Sequence, residues 1–524
     1  GNSIASGGNY NVVLGDEAGT ALTTGDNNVA IGFEALVTED AHGNNTAVGY
    51  RSLKTLNAGA EGYNTAVGID SGLSMTLGVE NTLLGALTGD ALTHADFNTA
   101  IGSTALGADT LGSRSVAIGQ GALSSQNFTT ATDTYNVAVG FSAGNAVTTG
   151  VQNTLIGGLA GDALTDADYN LAIGVSALGS DTLGSRSVAL GHQTLGAQNF
   201  TTATDAYNVA VGFSAGNAVT TGTKNTIIGS SAGDALTDAD FNTAVGFGSL
   251  GFDQLGSKTT AIGYRALGTQ RFTTAVDSFN TAVGYDAGLE VTTGDANTLI
   301  GGLAGDAITT GAKNVALGKN SLGANTAGNK AVAIGTDALA TQNITSDGDS
   351  FNVAVGYQAG TAVTTGQFNT LIGGLSGDAL TTGAQNVAIG YAALTTDDLG
   401  SHSVAVGPSA LFSQNFATAT NSYNTAVGSS AGGAVTTGVQ NTIIGGLAGD
   451  ALTDADHNVA IGYAALTADT LGSRSVAIGN GALSTQNFTT ATATYNTAVG
   501  DAAGGAVTTG IDNTLIGATA GDAL

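Results

Sequence analysis

One five-residue pattern of polar and apolar positions recurs along the whole chain. It reads polar, then Thr or an aliphatic, then Ala or an aliphatic, then an aliphatic, then Gly. Asn136-Val137-Ala138-Val139-Gly140, Asn153-Thr154-Leu155-Ile156-Gly157, Asn170-Leu171-Ala172-Ile173-Gly174 and Ser187-Val188-Ala189-Leu190-Gly191 are four consecutive copies. There are 29 such anchors between Asn11 and Asn513; of the 28 spacings, 21 are 17 residues, six are 21 and one, Asn45 to Asn64, is 19. The long spacing falls fourth each time, so three short turns and one long one make a 72-residue module. A fixed period of this size marks a solenoid, in which one repeat is one turn and only stacking buries its apolar side.

The pentapeptide is too short and too Gly-bounded for a helix, and its β-branched residues favour a strand. Gly at the fifth position predicts a sharp bend or a positive φ. A second apolar segment, as in Ala146-Val147-Thr148-Thr149-Gly150, predicts a second strand, so that each turn reads strand, corner, strand, corner. Position four is aliphatic in every turn and is expected to face the coil interior. Position three then faces outward. It is never polar, being Ala in most turns and Leu155, Ile227, Leu299, Leu371 or Ile443 at 72-residue intervals. A strand apolar on both faces is covered on both faces, so these residues are expected to meet a neighbouring chain.

The expected fold is therefore all-β: a parallel β-solenoid of about 29 turns, with residues 1–63 as an irregular N-terminal and lead-in region, 64–495 as six modules and 496–524 as a partial module. The chain stops 12 residues into a 17-residue turn, which reads as a piece of a longer fibre.

Composition narrows the function. Gly is 82 of 524 residues, with one Pro and no Gly-X-Y period, which excludes collagen. Hydrophobic residues reach 42%, too many for a disordered low-complexity chain. A net charge of −28 repels phosphate backbones and argues against nucleic acid as a partner. The absence of cysteine removes disulfides and thiol-bound metals. No apolar run is long enough to span a bilayer, so no membrane contact is expected of this segment.

Ser115-Val116-Ala117-Ile118-Gly119, Ser403-Val404-Ala405-Val406-Gly407 and Ser475-Val476-Ala477-Ile478-Gly479 resemble the head repeats of YadA-like trimeric autotransporter adhesins. The 17-residue form, Asn280-Thr281-Ala282-Val283-Gly284-Tyr285-Asp286-Ala287-Gly288 leading to Thr292-Thr293-Gly294, is similar to repeats of phage and bacterial tail-fibre-like proteins. The resemblance covers the whole chain. It implies a left-handed β-roll, a homotrimer, and display at a cell surface or on a virion. The longer turns and the 21-residue fourth turn depart from the adhesin pattern.

Residues 72 apart form columns that could carry chemistry. The long turn adds four residues, which are expected to bulge outward and offer Asn127, Thr129, Asn199, Thr201, Thr202, Asn415, Asn487 and Thr489 to a ligand. Two aromatic columns beside them, one through Phe128 and Phe200, the other through Tyr135 and Tyr207, are expected to pack the enlarged corner. Arg114, Arg186, Lys258 and Arg474 belong to a basic column, with Asp109, Asp181, Asp253 and Asp469 five residues earlier as the expected salt-bridge partners. Asp162, Asp166 and Asp168, with Asp450, Asp454 and Asp456, are candidate Ca²⁺ ligands by their alternating oxygens, although solvation suits them better and no cofactor is expected. Gly140-Phe141-Ser142-Ala143-Gly144 matches a nucleophile elbow. The equivalent position is Asp286 or Gln358 in other modules, so catalysis is not expected.

These readings converge on an extracellular structural and adhesive fibre that acts through many weak contacts to a host-surface or matrix protein or glycan, or to neighbouring cells. A tail-fibre shaft or passive spacer is the alternative. An ice-binding solenoid built on Thr148-Thr149 and Thr220-Thr221 is a third class, but those Thr pairs cluster in the first turn of a module. At a rise of roughly 4.8 Å per turn the fibre should be about 140 Å long. Small-angle scattering checks this, and a compact particle would be the contrary result.

Overall fold

A computed structural model describes residues 7–523; the first six residues of the expected N-terminal turn, and Leu524, lie outside them. Two units of stacked turns are present, one of residues 1–259 with 272–277, the other of residues 260–271 with 278–524. Among the described residues there is no helix, and each turn contributes one three-residue strand, as in Val137–Val139, Thr154–Ile156 and Leu171–Ile173. Within each unit every strand pairs in parallel with the strand one turn later and in unshifted register, Val137 with Thr154, Ala138 with Leu155, Val139 with Ile156. The protein is an all-β parallel solenoid with a 17-residue period.

The fifth-position glycines behave as expected. Gly157 has φ +133°, and a Cβ there would lie 2.6 Å from the backbone of Gly174 in the next turn. The second predicted strand does not form. Residues 146–150 are a bend, because Ser142 (φ +51°) and Gly144 (φ +59°) take left-handed backbone just before it and wind the chain too tightly for extension. The segment still stacks, Thr148 N–H donating to the carbonyl of Thr165 at 2.9 Å.

The strand faces are the reverse of the sequence expectation. Position three is interior: Leu155, Ile227, Leu299, Leu371, Ile443 and the alanines beside them are fully buried. Position four points out; Ile156 is 36% and Ile228 39% exposed. The periodic Leu and Ile therefore fill the coil rather than meet another chain. Their period has a packing reason, because they stand where the rest of the turn is small. In the turns anchored at Asn136 and Asn153, position nine is Gly144 or Gly161, and a Cβ at either would come within 2.8 Å of Leu155. In the turns anchored at Asn170 and Ser187, position nine is the buried Leu178 or Leu195, and position three shrinks to Ala172 or Ala189. Large and small residues trade places across a narrow core.

Leu155→Ala should therefore open a cavity and cost about 2–5 kcal/mol. Denaturant unfolding with hydrogen exchange of the neighbouring turns measures it; an unchanged midpoint would return Leu155 to the surface.

Candidate functional site

The long turn is built from a buried carboxylate. Asp181 is fully buried. Its Oδ1 accepts the N–H of Gly184 (3.1 Å) and of Phe200 (3.0 Å), and its Oδ2 accepts Gln198 Nε2 at 2.6 Å. Gln198 Oε1 in turn accepts Asn208 Nδ2 at 2.9 Å. Asp109 and Asp469 repeat the arrangement on Phe128 and Phe488. So the expected salt bridge from Asp109 to Arg114 is not made: the aspartate is committed to backbone N–H groups inside the turn. Asn325 holds the same place in the fourth module and accepts from Gly328 N at 3.2 Å, so an acceptor oxygen is enough and the charge is incidental.

The basic column instead reaches forward to the inserted residues. Arg114 pairs with Asp133 (3.1 Å), Arg186 with Asp205 (2.9 Å), Lys258 with Asp277 and Lys330 with Asp349 (both 2.5 Å). Arg474 faces Ala493 at that place and stacks on Tyr495, 5.9 Å from the ring centroid. The two aromatic columns separate. Phe128, Phe200 and Phe488 are 5–7% exposed and close the corner, as expected. Tyr135, Tyr207 and Tyr495 stand in the open, with Arg186 lying over both Tyr169 (5.0 Å) and Tyr207 (5.8 Å). These pairs are exposed and individually weak. They hold the insertion against the stack.

The candidate ligand-contact residues are all at the surface. Asn127, Thr129, Asn199, Thr201, Thr202, Asn415, Asn487 and Thr489 are exposed. Asn127, Asn199 and Asn487 each use the side-chain oxygen to accept a Thr hydroxyl one turn back, while Thr201 and Thr202 sit on the bulge itself. Thr204–Asp205 pairs in parallel with Gly184–Ser185, so the bulge has a strand at its base.

The candidate Ca²⁺ ligands do not converge. Asp166 accepts the Thr149 hydroxyl (2.6 Å) and Asp168 the Val151 N–H (2.7 Å); Asp454 and Asp456 do the same with Thr437 and Val439. The Thr-Thr corners are tied into the same network rather than presented as a free array. Among the described residues, only Glu39, Asp40 and His42 bring three ligand atoms close enough to share an ion. Glu39 is already spent there, accepting from the N–H of His42 and of Ala58. It is the lead-in counterpart of the Asp109 column.

Sequence reasoning missed two features. One is the buried amide ladder: Asn136 Oδ1 accepts Asn153 N–H (2.9 Å), Asn153 Oδ1 accepts Asn170 N–H (3.0 Å), and each Nδ2 closes its own turn on a carbonyl 14 residues later. Asn at position one in most turns was the available signal. The other is the outward face of positions two and four, which carries only Thr, Val, Leu and Ile across all the strands.

Burial raises the carboxyls of Glu39, Asp90, Asp162, Asp234, Asp306 and Asp397 above their ordinary range. A raised folded-state pKa favours the folded state when protonated, so this contribution is fully present below the unfolded pKa and is lost as pH rises through the folded one. Relief of the −28 net charge acts in the same direction. The urea midpoint should be higher near pH 4 than at pH 8; a midpoint that falls on acidification would contradict the assignment.

Compared with known proteins, the chain matches no protein-family model and no curated protein. The 17-residue periodic parallel solenoid is the architecture of repeat-type fibre proteins, and that much follows from the fold itself.

Proposed function

We propose that the chain is a segment of an extracellular structural and adhesive fibre, of the kind carried by YadA-like adhesins, and not an enzyme. The observation that carries this reading is repetition at the surface. The same exposed loop, Asn127 to Thr130, Asn199 to Thr202, Asn487 to Thr490, recurs every 72 residues on a scaffold in constant register. Identical sites at fixed intervals suit avidity, where each weak contact raises the effective concentration for the next. The partner is a protein or glycan of a host surface, matrix or neighbouring cell.

Assembly into a homotrimer belongs to the same proposal, with its surface moved. The interior Leu155 and Leu299 no longer support it; the outward residues Ile156, Ile228, Ile372 and Ile444, each 36–39% exposed, take their place. A stripe of half-exposed aliphatics on successive turns, with no charge in it, is larger than single-chain soluble proteins ordinarily leave uncovered.

Sedimentation of the parent chain and of an Ile156→Asp/Ile228→Asp variant tests the assembly. Three associated copies are expected for the parent and a folded single chain for the variant, since the charges would be buried unpaired at the contact. A monomeric parent would overturn the trimer. Adhesion is read separately: replacing Thr201, Thr202 and Thr489 by Ala should weaken attachment to coated surfaces without altering the circular dichroism.

A further inference from the structure

The modules are near-copies, so a position where one module departs from the others shows what the departure does. One acidic column offers such a comparison. In the fifth and sixth modules the column aspartate is capped by a threonine one turn later: Thr395 donates its hydroxyl to Asp378, and Thr467 donates to Asp450 at 2.5 Å. In the first four modules the threonine is replaced by Gly107, Gly179, Gly251 or Gly323. The caps are then gone. A Cβ at Gly179 would sit 3.4 Å from Asp162 Oδ1, and one at Gly107 3.3 Å from Asp90 Oδ1, so the space over each carboxylate oxygen lies where the threonine side chain would start.

The second module goes further. In the first, Asn145 Nδ2 donates to Ser124 Oγ at 2.9 Å and closes the next turn. In the second, Ser124 is replaced by Gly196, and Asn217 is released from that bond. Two glycines in consecutive turns open a cleft of about 370 Å³ with Asp162, Ser176, Ser180, Gln193 and Asn217 around it and Leu159 as an apolar wall. That volume is within the ordinary range of small-molecule sites, roughly 300–1,000 Å³. No side chain of the protein donates to the Asp162 carboxylate, which is half-buried.

We propose that the cleft at Asp162 binds a neutral oligosaccharide, with a sugar hydroxyl donating to the carboxylate where Thr395 and Thr467 donate in the later modules. The lining fits that class. It offers one charged acceptor, two hydroxyls and two side-chain amides, which together give and accept hydrogen bonds in several directions, and one leucine for the apolar face of a pyranose. It contains no Lys or Arg, so a sialylated or sulfated glycan would meet Asp162 with nothing to offset its charge. A divalent cation would find a single carboxylate where Ca²⁺ takes six to eight oxygens. Among the first four modules, only this one places Gly179 and Gly196 in succession with an asparagine above them; the third has Gly251 and Gly268 but Leu289 in that place.

This inference gives the adhesive reading a ligand class and rests on it, but its test uses purified full-length chain in solution. The protein is applied to an array of neutral hexose and N-acetylhexosamine oligosaccharides printed beside sialylated and sulfated ones, and the best neutral probe is then titrated by calorimetry. Binding of a neutral probe is expected, weakened at least tenfold in Gly179→Thr. That variant installs the cap already carried by two modules, and Gly179 does not have positive φ, so the fold tolerates it. Asp162→Asn should weaken binding as well, while Gly323→Thr, in another module, should leave it unchanged. Binding to charged glycans only, binding that Gly179→Thr does not alter, a response to Ca²⁺ alone, or no neutral hit would each overturn the proposal. Such a failure removes the cleft and leaves the sedimentation and attachment outcomes of the fibre reading untouched.

Discussion

Everything in this solenoid depends on how a turn closes when its only strand is three residues long. Three residues cannot hold a parallel ladder alone, and 14 further residues per turn must return the chain to its start. The buried asparagine at position one does both jobs. Its oxygen takes the N–H of the next turn's first residue, and its amide nitrogen takes a carbonyl near the end of its own turn, as Asn153 does with Asn170 and Ala167. One side chain thus fixes the stacking register and the turn length together. Removing it would orphan a buried N–H and a buried carbonyl, each costing about 1–3 kcal/mol, in every turn so altered. That double constraint explains why the 17-residue spacing drifts so little.

The long turn shows what happens when the spacing must change. Ser187 replaces the asparagine at its start, and Gln198 spans the extra distance, donating to Ser187 and Asp181 while accepting from Asn208. The amide ladder is relayed through the longer side chain rather than interrupted. Asp181 then takes the two N–H groups at the insertion's base, so the four added residues leave the stack as a pinned bulge. A binding loop on so repetitive a scaffold needs such an anchor, because a loop free to shift by a residue would blur the fixed interval on which avidity depends.

The period, the parallel strand and the bend at each fifth glycine were legible in the sequence, because they depend on spacing and on the one residue that tolerates φ near +135°. The direction of the faces was not. Position four is aliphatic without exception, and that constancy reads as core in an isolated strand. Yet a coil this narrow selects size at its inner position, and Ala138 facing Leu123 satisfies it as well as Leu155 facing Gly144 does. Periodicity of two says only that three and four differ. The partner of Arg186 was obscure for a related reason: Asp181, five residues away in sequence, lies inside the turn, whereas Asp205, 19 residues away, comes beside it once the insertion folds back.

A repeat protein also carries its own controls, which changes what counts as a functional signal. Residues that recur in every module, such as Asn153, Gly157 and Leu155, answer to stacking, since each copy must satisfy the same neighbours above and below. A substitution confined to some modules is free of that demand. The exchange of Thr395 for Gly179 removes a hydrogen bond from an oxygen that burial already penalises when charged, and it gains nothing in packing, because glycine adds no contact. An uncompensated loss of this kind is what a solenoid can tolerate at a few levels out of many. It points to a role outside the fold more sharply than any column the modules share.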